Sequence, residues 1–161
     1  MKKVILSLLC LWVSIGAFAQ FSGSGSGTSS DPYLIFNPIQ LDQVRNFLNT
    51  SGVYFKLMSD IDLSEYIADN NPTQGWQPIG TSTEPFKGVF EGNGKTVSGM
   101  WINRASTDYV GFWGYLEDAT VKNLTLNYSS DCTGKDYVGA FAGYISGGTV
   151  SNCLVVAKNI T

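Results

Sequence analysis

Apolar residues recur along this chain in three nearly identical heptads: Thr96-Val-Ser-Gly-Met-Trp-Ile102, Thr120-Val-Lys-Asn-Leu-Thr-Leu126 and Thr149-Val-Ser-Asn-Cys-Leu-Val155. Each reads Thr-Val-x-(Gly or Asn)-apolar-x-apolar, and the starts lie 24 and 29 residues apart. A repeat at that spacing predicts stacked layers rather than a single closed core. Strict strand alternation would put Val97, Gly99 and Trp101 on one face and Met100 and Ile102 on the other. The apolar phase therefore shifts at the fourth position. Gly99, Asn123 and Asn152 stand there, residue types that tolerate a left-handed backbone at low cost. A corner at that point lets the residues on both sides share one interior. Stacked strands lie about 4.8 Å apart, so like residues should form columns: Val97, Val121 and Val150 in one, Met100, Leu124 and Cys153 in another. Val, Thr, Asn and Gly are poor helix formers, which argues against a helical repeat. One layer cannot bury its own inner face and needs neighbours. The pattern predicts an all-β solenoid.

A second pair of repeats lies between the heptads: Asp108-Tyr-Val-Gly-Phe-Trp-Gly-Tyr-Leu116 and Asp136-Tyr-Val-Gly-Ala-Phe-Ala-Gly-Tyr-Ile145. Tyr109 to Tyr137 is 28 residues and Gly114 to Gly143 is 29, so one residue is inserted, most simply Ala140. A bend or bulge would absorb that slip. Upstream, Asp31 to Phe36 reads as a short strand. Asn37 followed by Pro38 opens a helix, and Leu41, Val44, Phe47 and Leu48 place an apolar face on Ile39 to Leu48, about three turns. That helix is expected to cap the unpaired strand edge at the N-terminal end. Tyr54 to Leu63 alternates, with Phe55, Leu57, Ile61 and Leu63 inward and Tyr54, Lys56, Asp60 and Asp62 outward. Glu65 to Thr73 and Thr81 to Pro85 read as polar loops, and Glu91-Gly-Asn-Gly94 as a tight turn. No second cap follows Val155, so the chain reads as truncated at its C-terminus, the front part of a longer protein.

The remaining composition sets the compartment. Lys2 and Lys3, the apolar run Val4 to Ile15 and Ala17-Phe-Ala19 form a signal peptide over residues 1–19. The run is shorter than the ~20 residues of a spanning helix, so no membrane insertion of the mature chain is expected. Residues 20–30 are Gly/Ser-rich and expected to be flexible, and 31–161 form the β domain. Losing Lys2 and Lys3 from 10 basic residues leaves 8 against 13 acidic, a net of −5. That balance excludes nucleic acid, which needs clustered Lys and Arg. Cys132 and Cys153 remain in a compartment that permits a disulfide. Cys153 falls in an inner column and is expected to be a buried free thiol, with pairing left open.

Candidate chemistry is sparse. The chain has no histidine, which removes Ser-His-Asp, Cys-His and His-zinc sites from this segment. Asp60 and Asp62 share a strand face, so paired-carboxylate or Ca²⁺ chemistry has to be weighed. Arg45 and Arg104, the two arginines, form no recognisable cluster with them, and solvation or a loop contact is the simpler reading. Glu91 is expected to accept N–H bonds across its turn. No catalytic residue, metal site or cofactor is expected. Aromatic residues make up 13% of the chain. Trp113, Tyr109 and Tyr137 are expected to pack under the Gly-rich segment. Trp101 lies between inward Met100 and Ile102, should project outward, and is the candidate ligand-binding residue.

Val110-Gly-Phe-Trp-Gly-Tyr115 and Val138-Gly-Ala-Phe-Ala-Gly-Tyr144 resemble the GLUG motif of bacterial surface β-helix proteins. The runs Tyr54 to Leu63, Trp76-Gln-Pro-Ile-Gly80, Phe86 to Gly94 and Gly25 to Ile35 are similar to the region that commonly precedes it. The resemblance implies a right-handed parallel β-helix in a secreted or cell-surface, adhesin-like protein. Similar segments also stand beside protease domains in IgA-cleaving metallopeptidases. The expected function is non-catalytic binding of a glycan or of a host or cell-surface protein. The alternatives are a polysaccharide lyase or hydrolase of β-helix type, or an accessory segment of a larger surface enzyme.

Overall fold

A computed structural model describes residues 21–161, and the leader expected over residues 1–19 lies outside the described residues. The strands are β1 (Tyr33–Ile35), β2 (Tyr54–Leu57), β3 (Ile61–Asp62), β4 (Val89–Asn103), β5 (Trp113–Glu117), β6 (Thr120–Thr133), β7 (Ala142–Ser146), β8 (Thr149–Ser151) and β9 (Leu154–Val156). Helix is confined to α1 (Pro38–Asp42), a 3₁₀ stretch over Gln43–Phe47 and α2 (Ser64–Asn70). The described chain is therefore all-β in class. Every pairing between these strands is parallel. The larger sheet runs β1-β2-β4-β6-β8, with β3 also on β4 and β9 also on β6, while β5 and β7 pair separately. The chain thus leaves each strand, passes through the other elements and returns one layer further on.

Both sheets face one interior. The rings of Phe86 and Phe90, ahead of and within β4, lie 4.8 and 5.1 Å from Trp113 of β5. Val97, Met100, Val121, Leu124 and Leu126 are fully buried, each contributing about 1.5–3 kcal/mol relative to exposure. Gly99, Asn123 and Asn152 have φ of 74°, 55° and 51°, the left-handed backbone that the phase shift requires. Residues on either side of each corner consequently point inward. At Gly99 a Cβ would also run into Asp62 Oδ1 and Ser64 Oγ, so only glycine fits.

The columns differ from those expected. Val121 does stack on Val150, but its partner on the other side is Phe90, and Val97 stacks on Leu126 instead. The cause is Glu91-Gly-Asn-Gly94, which is not a free-standing turn but an irregular stretch inside β4: the register jumps between Glu91 and Lys95. Asn93, with φ of 54°, turns the corner there. The structural counterpart of Thr120-Val-Lys-Asn-Leu is therefore Val89 to Lys95, whose sequence hides it. Gly99 belongs to a different corner, one face further along the chain.

Several local expectations are corrected. The Gly/Ser stretch is tied into the fold rather than flexible: Phe21 is buried, Tyr54 N–H donates to Gly27 O, and Leu34 N–H donates to Ser24 O across the open edge of β1. The helix from Pro38 is capped by Asn37 Oδ1, 3.0 Å from Gln40 N, but becomes 3₁₀ after one turn. Leu41, Val44 and Phe47 repeat every three residues, the period that a 3₁₀ stretch aligns on one side. The polar segment from Glu65 is largely helix α2, anchored by buried Ile67. Cys132 and Cys153 are both free, and the fully buried one is Cys132, while Cys153 is half-buried. Cys153 lies in the last layer, where Val150 is 41% exposed although its counterpart Val121 is inaccessible.

Candidate binding surface

Trp101 is carried by β4 just past the Gly99 corner. It is half-buried, because the segment before it folds back: Trp76 N–H donates to the Trp101 carbonyl at 2.8 Å, and the ring lies beside Gly75. Asp60 and Asp62 are exposed, and both serve the backbone. Asp60 Oδ1 accepts from Thr96 N–H at 2.8 Å. Asp62 Oδ1 accepts from the Ser64 N–H at 2.9 Å and the Ser64 hydroxyl at 2.7 Å, which hold its carboxyl below the usual range against a slight opposing effect of burial.

A groove of about 380 Å³ runs between the Gly/Ser segment and the outer face of the larger sheet, lined by Ser29, Tyr54, Lys56, Glu91 and Lys122 among others. Lys56, Glu91 and Lys122 sit side by side in register on β2, β4 and β6. The Glu91 carboxylate is already committed. Its Oε1 accepts from Asn93 N–H at 2.7 Å and Asn123 Nδ2 at 2.9 Å, and Oε2 lies 3.3 Å from Lys122 Nζ. It ties two corners together.

The outer side of β5 and β7 is different. Tyr115 and Tyr144 are paired in register with ring centroids 4.9 Å apart. Tyr109 and Tyr137 stack at 4.8 Å and 8°, and edge contacts join the pairs. The expectation that Tyr137 packs under the Gly-rich segment is not met: it is 56% exposed and Tyr144 is 40% exposed, whereas Trp113 is fully buried. The reason is that Gly114 and Gly143 receive the backbone, not the rings, of Tyr109 and Tyr137. A Cβ at Gly114 would strike the Gly80 and Tyr109 carbonyls, and one at Gly143 the Tyr109 main chain. Beside Tyr109 lies a small pocket of about 150 Å³ lined by Gln77, Thr81, Ser82, Arg104 and Asp108. Lys135 Nζ bridges Asp108 and Asp136, 3.3 Å from each carboxylate. The repeated Asp-Tyr-Val-Gly and Gly-Tyr segments were the available signal for this surface. Among the described residues no cluster of three metal-ligating side chains occurs, and no helix is long and apolar enough to cross a membrane.

No family model matches the chain. It is 38% identical over 125 residues to a provisionally named Gly-rich membrane protein of Evansella cellulosilytica, covering 76% of this chain and 14% of that one. It is 37% identical over 130 residues to a halomucin of Haloquadratum walsbyi, covering 80% of this chain and 1% of that one. The chain thus spans a small part of the curated relatives it matches. In fold it resembles the crystal structure of a protein from Bacteroides ovatus provisionally named an immunoglobulin A1 protease. The TM-score is 0.64 at 22% identity, over 84% of this chain and 40% of that one.

Proposed function

We propose that the chain is a secreted or surface-displayed, non-catalytic, right-handed parallel β-helix of the GLUG type, with α1 near its N-terminal end, that binds a glycan or a surface protein as adhesin-like proteins do. The leader read from residues 1–19 supports export, and the names of the relatives, a membrane protein and a halomucin, support a place at the cell surface. The observation that carries the reading is the division of labour between faces. Inward residues stack into one continuous apolar core, while outward residues form a tyrosine quartet in which Tyr137 and Tyr144 are exposed and Tyr109 and Tyr115 half-buried. Contiguous exposed aromatic surface, unlike single scattered side chains, is a mark of an interaction site. Trp101 remains a candidate contact through the part of its ring left in solvent.

The test is retention of beads carrying the full chain on immobilised glycans and on extracellular matrix proteins. Retention on at least one surface is expected, with no shortening of acidic polysaccharides with or without Ca²⁺. Depolymerisation that disappears in an Asp60→Ala, Asp62→Ala variant would replace this reading with the lyase one.

A further inference from the structure

Among the described residues, every non-glycine residue with a left-handed backbone is Asn or Asp except two: Tyr109 with φ of 60° and Tyr137 with φ of 56°. Asn and Asp reach that region cheaply through local hydrogen bonds, whereas a bulky side chain there is an outlier. The strain is of order 1–3 kcal/mol per residue, and both copies of the repeat accept it. At Tyr137 core burial does not offset it, since that residue is more than half exposed, and Tyr109 is only half-buried. What the position keeps is therefore the ring itself, held rigidly outward by a backbone wedged against Gly114 and Gly143.

Tyr109 lines the pocket that also holds Gln77, Pro78, Thr81, Ser82, Arg104 and Asp108, and the face of its ring turned away from Tyr137 is free of any aromatic stack. Its volume, about 150 Å³, is that of a cavity known to hold one six-membered ring. The other walls mix apolar Pro78 and the Gly80 backbone with polar side chains. Asp108 offers carboxylate oxygens, Gln77 a carboxamide, and Thr81 and Ser82 hydroxyls. The Arg104 guanidinium, with five N–H groups, has bonds to Trp76 O, Gln74 Oε1 and Gly75 O, leaving donors over. These bonds also fix its position. A purely apolar ligand would leave these polar groups unused, and Arg104 opposite Asp108, which Lys135 already pairs, favours a ligand without net charge. A sugar ring matches it: one C–H face lies flat on an aromatic wall, and its hydroxyls both donate and accept.

The geometry points to a saccharide-binding site in which a single uncharged sugar ring at the end of a glycan sits in this pocket against Tyr109, with Asp108, Gln77 and Arg104 taking its hydroxyls. The site rests on the binding-scaffold reading above and specifies it.

Asparagine at Tyr109 provides the test, because it removes the ring while relieving the backbone. The full chain and its Tyr109→Asn, Asp108→Asn and Ser82→Trp variants would be titrated with oligosaccharides ending in glucose, galactose, mannose or N-acetylglucosamine, followed by saturation-transfer NMR. The wild type is expected to bind at least one. Tyr109→Asn is expected to lose about tenfold in affinity, the scale of one aromatic contact with its buried area, with an unchanged or raised melting temperature. Asp108→Asn should weaken binding several-fold. Ser82→Trp, on an exposed loop, should block the pocket while leaving all the tyrosines in place in the sequence. Wild-type affinity in all three variants would overturn the site while leaving the scaffold reading intact. So would retention of the wild type on proteins but on none of the four sugars. A lower melting temperature in Tyr109→Asn with binding preserved would make the ring structural and end the proposal.

Discussion

Trp76 and Trp113 are both fully buried, yet they meet opposite conditions. Trp76 Nε1 donates to the Phe112 carbonyl at 3.1 Å, and its ring stacks on Phe112 at 6°. Trp113 Nε1 has no hydrogen-bond partner among the described residues. Phenylalanine removes the same indole edge from each site. Trp76→Phe should therefore be more destabilising than Trp113→Phe by about 1–3 kcal/mol, the difference between losing a buried bond and losing an unsatisfied donor. Urea unfolding of the two variants decides it, and equal losses would refute the assignment. Glu91 makes a prediction in pH. Burial alone would raise its carboxyl, but the Asn123 side chain, the Asn93 N–H and Lys122 outweigh burial and hold it below its ordinary 4.5. A folded-state value below the unfolded one gives stability that is complete above pH 4.5 and lost as pH falls through the folded value. The wild type should accordingly lose stability in acid more steeply than Glu91→Gln, measured as unfolding free energy against pH. Parallel curves would show that Glu91 contributes nothing.

Elements are joined by residues whose role no pattern announces. The inserted residue between the Gly-rich copies is located by the register. Val110 bridges to Val138 but Trp113 pairs with Ala142, so the slip lies between those positions, as the spacing of the glycines implies. Tyr128 on β6 reaches across the interior and donates its hydroxyl to the Ala140 carbonyl at 2.6 Å. Burial raises the Tyr128 phenol well above its usual value, so it stays a donor. Tyr128→Phe would leave that carbonyl only its longer bond from the Phe112 N–H, at 3.4 Å, and a loss of about 1 kcal/mol is expected. A melting temperature equal to wild type would show the bulge holding without it. The corner elements were legible because Gly99, Asn123 and Asn152 break an otherwise regular alternation. The equivalent corner at Asn93 was not, because Glu91-Gly-Asn-Gly94 has the composition of a turn and lacks the Thr-Val signature. The short 3₁₀ stretch was read as α-helix because a face of Leu41, Val44, Phe47 and Leu48 satisfies both periods.

For the whole molecule, parallel layers interact mainly with their neighbours, so stability should grade along the stack. The middle strands β4 and β6 are covered on both sides, while β8 and β9 leave Val150, Leu154 and Val156 exposed. Native-state hydrogen exchange should find amides of β8 and β9 opening before those of β4 and β6. Uniform protection would indicate a single cooperative unit. Thiol chemistry should follow the same gradient. Burial pushes the Cys132 thiol up to about 11 and closes it off from reagent, so iodoacetamide should label half-buried Cys153 first. Equal labelling rates would contradict the gradient.

The sequence by itself determined the class and the rhythm of this protein. Apolar alternation broken at Gly or Asn admits one economical solution, parallel strands with corners, because those residues alone turn the backbone left-handed cheaply. It also removed histidine-dependent pairings from this segment, since the chain has no histidine. The tertiary structure decided the rest: which repeat lies on which, and which aromatics remain outside. Register depends on where a slip is absorbed, and that is settled by the bulge at Gly92 to Gly94 and by Tyr128 holding Ala140, contacts made between residues far apart in the chain. Tyr109 and Trp113 stand four positions apart in one Gly-rich run. One lies on the outer side and the other in the core because the Gly80 and Tyr109 carbonyls come together at Gly114.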